Sequence, residues 1–384
     1  MLGHVELFQK LIKSYSIDKI TFLISFCTVI GIASFILLNT DFAKIIIGQI
    51  YSFVVDYFGS YYLILTIISF IFLIKFIYNK KSSEFFKEKT MTALKGIIAP
   101  FTTPFKANGE IDLTLIKPQV DWLIENGVHG LAAGGSTGEG HALSRDEYLS
   151  LMTETASSLN GRVPLVAGII ANSTSEVIER GKSVKSLNVE ALQITPPSYL
   201  FRPDDDAMVR HFSEIHEECQ IPILIYNVVP WCYLSPDLLL RIMDEVPGVL
   251  GVKQSAGDMK LFADLIRRAK PKNMIFSAVD ALLYLSYKLG APGSIAAILT
   301  AAPGPSVKLW DAVIEQDWET AKDLHEKLMP LWDAIGLDNM PSLCKYAQSL
   351  QGLESGFARR PTSPATDNQK EKVREALINL NLIK

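Results

Sequence analysis

The chain reads as an α/β protein: a (β/α)8 TIM barrel with a C-terminal helical appendage, preceded by two membrane-spanning helices. Three observations predict this. From residue 94 onward, eight short and near-continuously apolar runs alternate with eight helix-like stretches. Residues 316–384 hold three more helix-like stretches and no strand-like run. Residues 1–90 are dominated by Ile, Phe, Leu and Tyr and contain two long uncharged stretches.

The first uncharged stretch, residues 20–38, is long enough to span a bilayer as a helix. The second runs from 57 to 74 and reaches 78 if Lys75 snorkels. A signal peptide is the competing reading of the first, but it lacks a small-residue cleavage site and a second span follows. A buried core helix competes for either. Lys10, Lys13 and Lys19 precede the first span, Lys80, Lys81, Lys87 and Lys89 follow the second, and the loop between holds only Lys44 among basic residues. This bias puts both ends in the cytoplasm. Segment 42–55 is amphipathic and suits the membrane surface. The expectation is a membrane-anchored protein with its catalytic domain in the cytoplasm, or a cytoplasmic one if translation starts at Met91.

In the barrel the strand-like runs start at Leu94, Val128, Val163, Val189, Ile221, Val249, Asn273 and Gly293. The helix-like stretches between them run over 113–125, 144–159, 173–186, 204–219, 235–245, 258–269, 281–289 and 305–315. Ser144 with Glu147 three residues on forms a capping box. Strands apolar on both faces, each followed by a helix, indicate a closed parallel barrel. An open doubly wound sheet would usually carry a Gly-rich phosphate loop after its first strand, and none stands there. The domains expected are 1–90, a barrel over 91–310 and a helical part over 311–384, with helices at 318–335, 341–350 and 368–380.

A net charge of −4 gives no basic surface for nucleic acid. The four cysteines, Cys27, Cys219, Cys232 and Cys344, lack the paired spacing of a zinc site or a disulfide framework. Barrel enzymes place their chemistry at the C-terminal strand ends. The polar residues expected there are Ser136, Thr137 and Glu139 after the second strand, Thr195 and Tyr199 after the fourth, Tyr226 and Asn227 at the fifth, Lys253 at the sixth and Asp280 after the seventh. Desolvation at a strand end makes a lysine such as Lys253 a usable amine nucleophile. The Gly135-Ser136-Thr137 turn exposes backbone N–H groups and two hydroxyls that suit a carboxylate. Tyr226 could shuttle a proton. Each has a plainer reading alone: a surface lysine, a tight turn, a packing tyrosine. Glu139 is expected to brace the loop and Asp280 to cap the following helix. Cys232 and His141 are pocket-lining candidates with no partner for a triad or a metal. Together the lysine, phenol and cradle suit an α-keto acid, attacked by Lys253 to give an iminium that stabilises an enamine and lets a carbon–carbon bond form or break. That chemistry needs no metal and no cofactor beyond the covalent imine.

GSTGE (Gly135 to Glu139), YNVVP (Tyr226 to Pro230) and GVKQSAGD (Gly251 to Asp258) stand in order at these strand ends. APFTTPF near residue 100, GSIAA at the eighth strand and RRP (Arg359 to Pro361) accompany them. On these motifs the chain from Thr92 onward resembles the dihydrodipicolinate synthase/N-acetylneuraminate lyase family. The resemblance implies that Lys253 forms a Schiff base, Tyr226 relays protons, and Ser136 and Thr137 hold the keto-acid carboxylate, with Thr137 helping the relay. It implies that Ile295 sets a backbone carbonyl near the lysine and that the protein is a homo-oligomer, a tetramer or dimer. Pyruvate is the keto acid it points to. The synthases usually continue YNVPxRTG, where the arginine binds the second substrate's carboxylate; here the run is YNVVPWCYLSPD, shorter and without arginine. A keto-acid lyase or aldolase is therefore the expected activity, with the synthase proper or a keto-sugar-acid dehydratase as the alternative. TPPSYLFRP also departs from the usual TPxYxxP, which leaves open whether Tyr199 reaches a neighbouring subunit. Two further readings differ in class: a non-catalytic membrane-tethered binding barrel, and a transport component with a passenger barrel. The segment from Phe58, with the amphipathic piece before it, resembles the opening helices of betaine/choline/carnitine-type transporters.

Overall fold

In the computed structural model the structure describes residues 94–384 together with residues 45, 48, 49 and 52. The chain divides into two compact units, Met1–Phe85 and Phe86–Lys384. The spans expected at 20–38 and 57–78 lie outside the described residues. Of segment 42–55, the four described residues are helical and exposed. Among the described residues no helix is long and apolar enough to cross a membrane.

Eight parallel strands close into a barrel in chain order. They are β1 (Gly96–Pro100), β2 (Gly130–Ala133), β3 (Leu165–Ile169), β4 (Ala191–Ile194), β5 (Ile223–Asn227), β6 (Val249–Gln254), β7 (Met274–Ser277) and β8 (Gly293–Ser294). The outer ring holds α1 (Ile116–Glu125), α2 (Arg145–Leu159), α3 (Thr174–Ser183), α4 (Asp205–Cys219), α5 (Pro236–Glu245), α6 (Met259–Arg268) and α7 (Leu283–Lys288). The short α8 (Ile298–Ala301) and α9 (Pro303–Ile314) follow β8, and α10 (Trp318–Ile335), α11 (Met340–Leu350) and α12 (Asp367–Asn379) form the C-terminal part. Side-chain oxygens of Ser144, Ser173, Asp204, Ser235 and Asp258 each accept a backbone N–H in the first turn of the helix that follows. Each such cap stabilises by about 1 kcal/mol, which is why the helix starts were readable to within a residue or two.

Strand alternation sorts the side chains into two cores. Ile97, Leu131, Ala167, Leu192, Ile225, Val252 and Ile275 face the helices in the larger one. Ile98, Ala132, Val166, Ala191, Leu224, Met274, Phe276 and Ile295 fill the lumen. Burial of each large side chain contributes about 1.5–3 kcal/mol. The same parity turns Gln193, Tyr226 and Lys253 inward, two residues beyond Ala191 and Leu224 and one beyond Val252.

The eighth strand is shorter than its apolar run suggests. Only Gly293 and Ser294 pair, Gly293 with Gly96 and Ser294 with both Ile97 and Ser277, and the chain enters α8 at Ile298. The Asp280 carboxylate accepts the Ile298 N–H at 2.6 Å and starts that helix. A buried apolar run is equally compatible with strand and helix.

Candidate active site

Lys253 and Tyr226 are paired neighbours on β6 and β5, so one inward face carries both. Lys253 is 5 % exposed, and its Nζ lies 3.7 Å from the centre of the Tyr226 ring. Among the described residues neither Lys253 Nζ nor the Tyr226 hydroxyl makes a hydrogen bond, and no carboxylate forms an ion pair with the lysine. The Tyr226 ring presents its electron-rich face to the lysine nitrogen. Asn227 fixes the strand end beside them. Its Oδ1 accepts the Leu234 N–H at 2.9 Å and its Nδ2 donates to the Leu234 carbonyl at 3.1 Å, closing the 228–234 loop.

The GSTGE turn follows β2. Gly134 has φ +74, and a Cβ there would lie 2.8 Å from the Gly168 carbonyl. At Gly140 a Cβ would lie 1.8 Å from the Gly134 carbonyl, so only glycine lets the turn fold back on itself. Glu139 N–H donates to Ser136 O and Gly140 N–H to Gly135 O, both at 3.0 Å. The Thr103 hydroxyl donates to the Gly138 carbonyl at 2.5 Å and ties the turn to the segment after β1. Ser136 and Thr137 themselves make no hydrogen bond among the described residues, through backbone N–H or hydroxyl. Two unused amides and two hydroxyls stand together after β2, a donor set that suits an anion.

Glu139 does more than brace its own loop. Its φ is +55, and its side chain is 1 % exposed. Lys345 of α11, also buried, donates to Oε1 at 2.8 Å, and the Arg359 N–H donates to Oε2 at 2.8 Å. Lys345 Nζ donates as well to the Phe357 carbonyl at 2.6 Å and sits 4.9 Å above the Phe105 ring. Arg359 then forks onto Glu147, whose carboxyl it holds down at about 2 against the burial that opposes it. The C-terminal part thus grips the GSTGE turn from behind.

Asp280 departs from its expected role as a cap for the next helix. It begins a short 3-10 turn and reaches across to α8. Burial raises its carboxyl to about 6, against the pull of the Ile298 N–H and, more weakly, of Lys253. Tyr233, half-buried in the β5 loop, is raised first by burial and then by Tyr226. Of the pocket-lining candidates, Cys232 is buried with its Sγ donating to the Pro197 carbonyl at 3.2 Å, while His141 is exposed. Ile295 packs in the lumen core with Phe276, the β7 neighbour of Lys253. Tyr199 is 73 % exposed, beside exposed Leu200, Phe201 and Trp231.

Sequence reasoning missed Lys345, Arg359 as a loop anchor, Gln193 and the Asp280–Lys253 proximity. RRP flagged Arg359 only as a motif, and nothing local to Lys345 marks it. A groove of about 900 Å³ runs outside the lumen between the β1–α1 segment and the C-terminal helices, with Lys345 and Arg359 in its wall; neither Lys253 nor Tyr226 lines it. The carbonyl chemistry this site can do is placed in the lumen.

Comparison with known proteins identifies the family. The family model described as the dihydrodipicolinate synthetase family matches residues 93–380. A 4-hydroxy-tetrahydrodipicolinate synthase from Ralstonia nicotianae is 31 % identical over 296 residues, 76 % of this chain and 100 % of its own length. The enzyme of that name from Neisseria gonorrhoeae is 32 % identical over 287 residues, 74 % of this chain and 98 % of its own. Among solved structures, a dihydrodipicolinate synthase from Acinetobacter baumannii complexed with pyruvate superposes with a TM-score of 0.72 at 30 % identity, covering 76 % of this chain and all of that one. A prophage protein of the same family from E. coli K12, also in complex with pyruvate, gives 0.72 at 25 % identity over 75 % of this chain and 99 % of its own. Matches of this extent, over the residues that build the barrel and its C-terminal helices, place the chain in the dihydrodipicolinate synthetase family.

Proposed function

We propose that this protein is a lyase of the class I aldolase type that takes pyruvate or a similar small keto acid and works through a Schiff base on Lys253. The observation that carries the reading is an unpaired lysine, 5 % exposed, stacked on a tyrosine ring in the barrel lumen. The amides and hydroxyls of Ser136 and Thr137, with Gly135 in the same turn, receive the carboxylate. The neutral Nζ adds to the C2 carbonyl, a C–N bond forms and the carbonyl oxygen becomes a hydroxyl. Loss of that hydroxyl as water, protonated through Tyr226 and Thr137, leaves the iminium. Removal of a C3 proton gives the enamine, which attacks an aldehyde in the synthetic direction or arises from its loss in cleavage. The pyruvate bound in two family structures supports the choice of keto acid.

The second reading is 4-hydroxy-tetrahydrodipicolinate synthase proper, which the names of the similar enzymes favour. Against it stands Trp231, 71 % exposed in the loop after Tyr226, where no arginine is present. The exposed Tyr199, Leu200, Phe201 and Trp231 support association of copies through this face.

The test is reductive trapping. The full chain is incubated with pyruvate and borohydride and mapped by peptide mass. A pyruvate-derived adduct on Lys253, absent in Lys253→Ala, is the expected result. No adduct with any small keto acid overturns the reading.

A further inference from the structure

The groove between the β1–α1 segment and the C-terminal helices carries charge of one sign. Five cations line it, Lys106, Lys345, Arg359, Arg360 and Lys370, and no Asp or Glu among the described residues does. Lys345 and Arg359 are neutralised from behind by Glu139 and Glu147. Lys370 pairs with Asp367, a fully exposed carboxylate outside the groove. Lys106 and Arg360 form no ion pair, and their side chains make no hydrogen bond, among the described residues. The Tyr346 and Thr362 hydroxyls in the same wall are equally unused. A volume of about 900 Å³ is that of a small-molecule site. Like charges gathered in one concavity repel one another and draw in anions.

Both walls also lead to the GSTGE turn. The first, Lys106 to Gly109, continues from Thr103, whose hydroxyl donates to the Gly138 carbonyl at 2.5 Å. The second carries Lys345 and Arg359, and both donate to the Glu139 carboxylate. The walls are joined at Phe105 and Phe357, whose N–H groups donate to each other's carbonyls at 3.3 and 2.8 Å. They are joined again where Arg359 Nε donates to the Gly109 carbonyl at 3.0 Å. A ligand that bridges the walls adds to a contact that already holds the turn.

We propose that the groove is an effector site for a small polyanion, a molecule with two or more carboxylate or phosphate groups, bound by Lys106, Arg360 and Lys370, and that its occupancy firms the GSTGE turn for keto-acid binding. A single charge would satisfy one wall and leave the other unpaired, so the site selects for more than one. The Arg360 fork suits two oxygens of one anionic group, and the lysines act as point charges on another. The anion site stands apart from the Lys253 reading, and only its effect on keto-acid binding rests on it. By linkage, an anion that tightens pyruvate binding is tightened by pyruvate to the same extent.

The full-length protein is titrated by calorimetry with citrate and, separately, with pyrophosphate, at an ionic strength fixed with potassium chloride. Saturable binding of at least one, tighter than about 1 mM, is expected, and the one that binds distinguishes a polycarboxylate from a phosphate ligand. Lys106→Ala/Arg360→Ala should weaken it roughly ten-fold. Lys322→Ala/Lys327→Ala on α10 removes the same charge outside the groove and should leave it within about two-fold. With the anion present, the pyruvate concentration that half-saturates borohydride trapping should fall about five-fold. No saturable binding of either anion overturns the proposal. Equal weakening by the two double variants also overturns it, because net charge then explains the binding. Binding that leaves the pyruvate response unchanged overturns the effector role. The calorimetry is read without pyruvate, so a protein that forms no adduct fails the Lys253 reading while the anion site is decided by its own titration.

Discussion

Replacing Lys345 with methionine keeps most of the side-chain volume and removes one charge from a pair that water does not reach. In the parent protein the two side chains are 3 % and 1 % exposed and 2.8 Å apart. Glu139 would keep only the Arg359 N–H on Oε2, and the Phe357 carbonyl would lose its 2.6 Å donor. Breaking a buried pair from one side typically costs about 3–5 kcal/mol, because the remaining charge stays desolvated and alone. The orphaned carbonyl adds about 1 kcal/mol. Removing the second charge as well, in Lys345→Met/Glu139→Gln, should restore at least half of the loss, since no bare carboxylate remains. The assay is urea denaturation of the parent, both single variants and the double variant, with pyruvate saturation curves on each. Because Glu139 closes the turn that holds Ser136, Lys345→Met should also raise the KM for pyruvate several-fold. A loss below about 1 kcal/mol, or a double variant as unstable as the two singles summed, would refute the idea that this pair sets the loop.

Two other outcomes follow from the site. The Asp280 carboxyl titrates near 6 in the folded chain against an ordinary 3.8. The folded state therefore holds its proton where the unfolded state has lost it, and stability falls as pH rises from about 4 to about 6. Asp280→Asn lacks that penalty, so its advantage over the parent should grow by about 2–3 kcal/mol between pH 4 and pH 7; a pH-independent difference would refute the assignment. Gly168→Ala puts a Cβ 2.6 Å from the Gly135 nitrogen, which should cut kcat/KM for pyruvate at least ten-fold with near-parental far-ultraviolet circular dichroism; unchanged kinetics would show that the cradle tolerates displacement.

The barrel was legible because its strands are apolar on both faces and its helices begin at Ser or Asp caps, features that act within a few residues. Lys253, Tyr226 and the GSTGE turn were legible because strand ends in a barrel converge. Lys345 and Arg359 were not, because their partners lie 206 and 220 residues away in sequence and only the closed fold brings them together. Gln193 was hidden by parity: β4 reads as one apolar run, and which residues face inward depends on register with β3 and β5. The eighth strand was overread because Asp280 draws Ile298 into a helix from outside the segment.

The grip of α11 and the Arg359 segment on the GSTGE turn limits how this architecture can be recombined. A tail exchanged from a relative would have to bring a lysine and an arginine that meet Glu139 and Glu147, or be exchanged together with the turn. A cut between barrel and tail takes Lys345 and Arg359 away from the two carboxylates they hold.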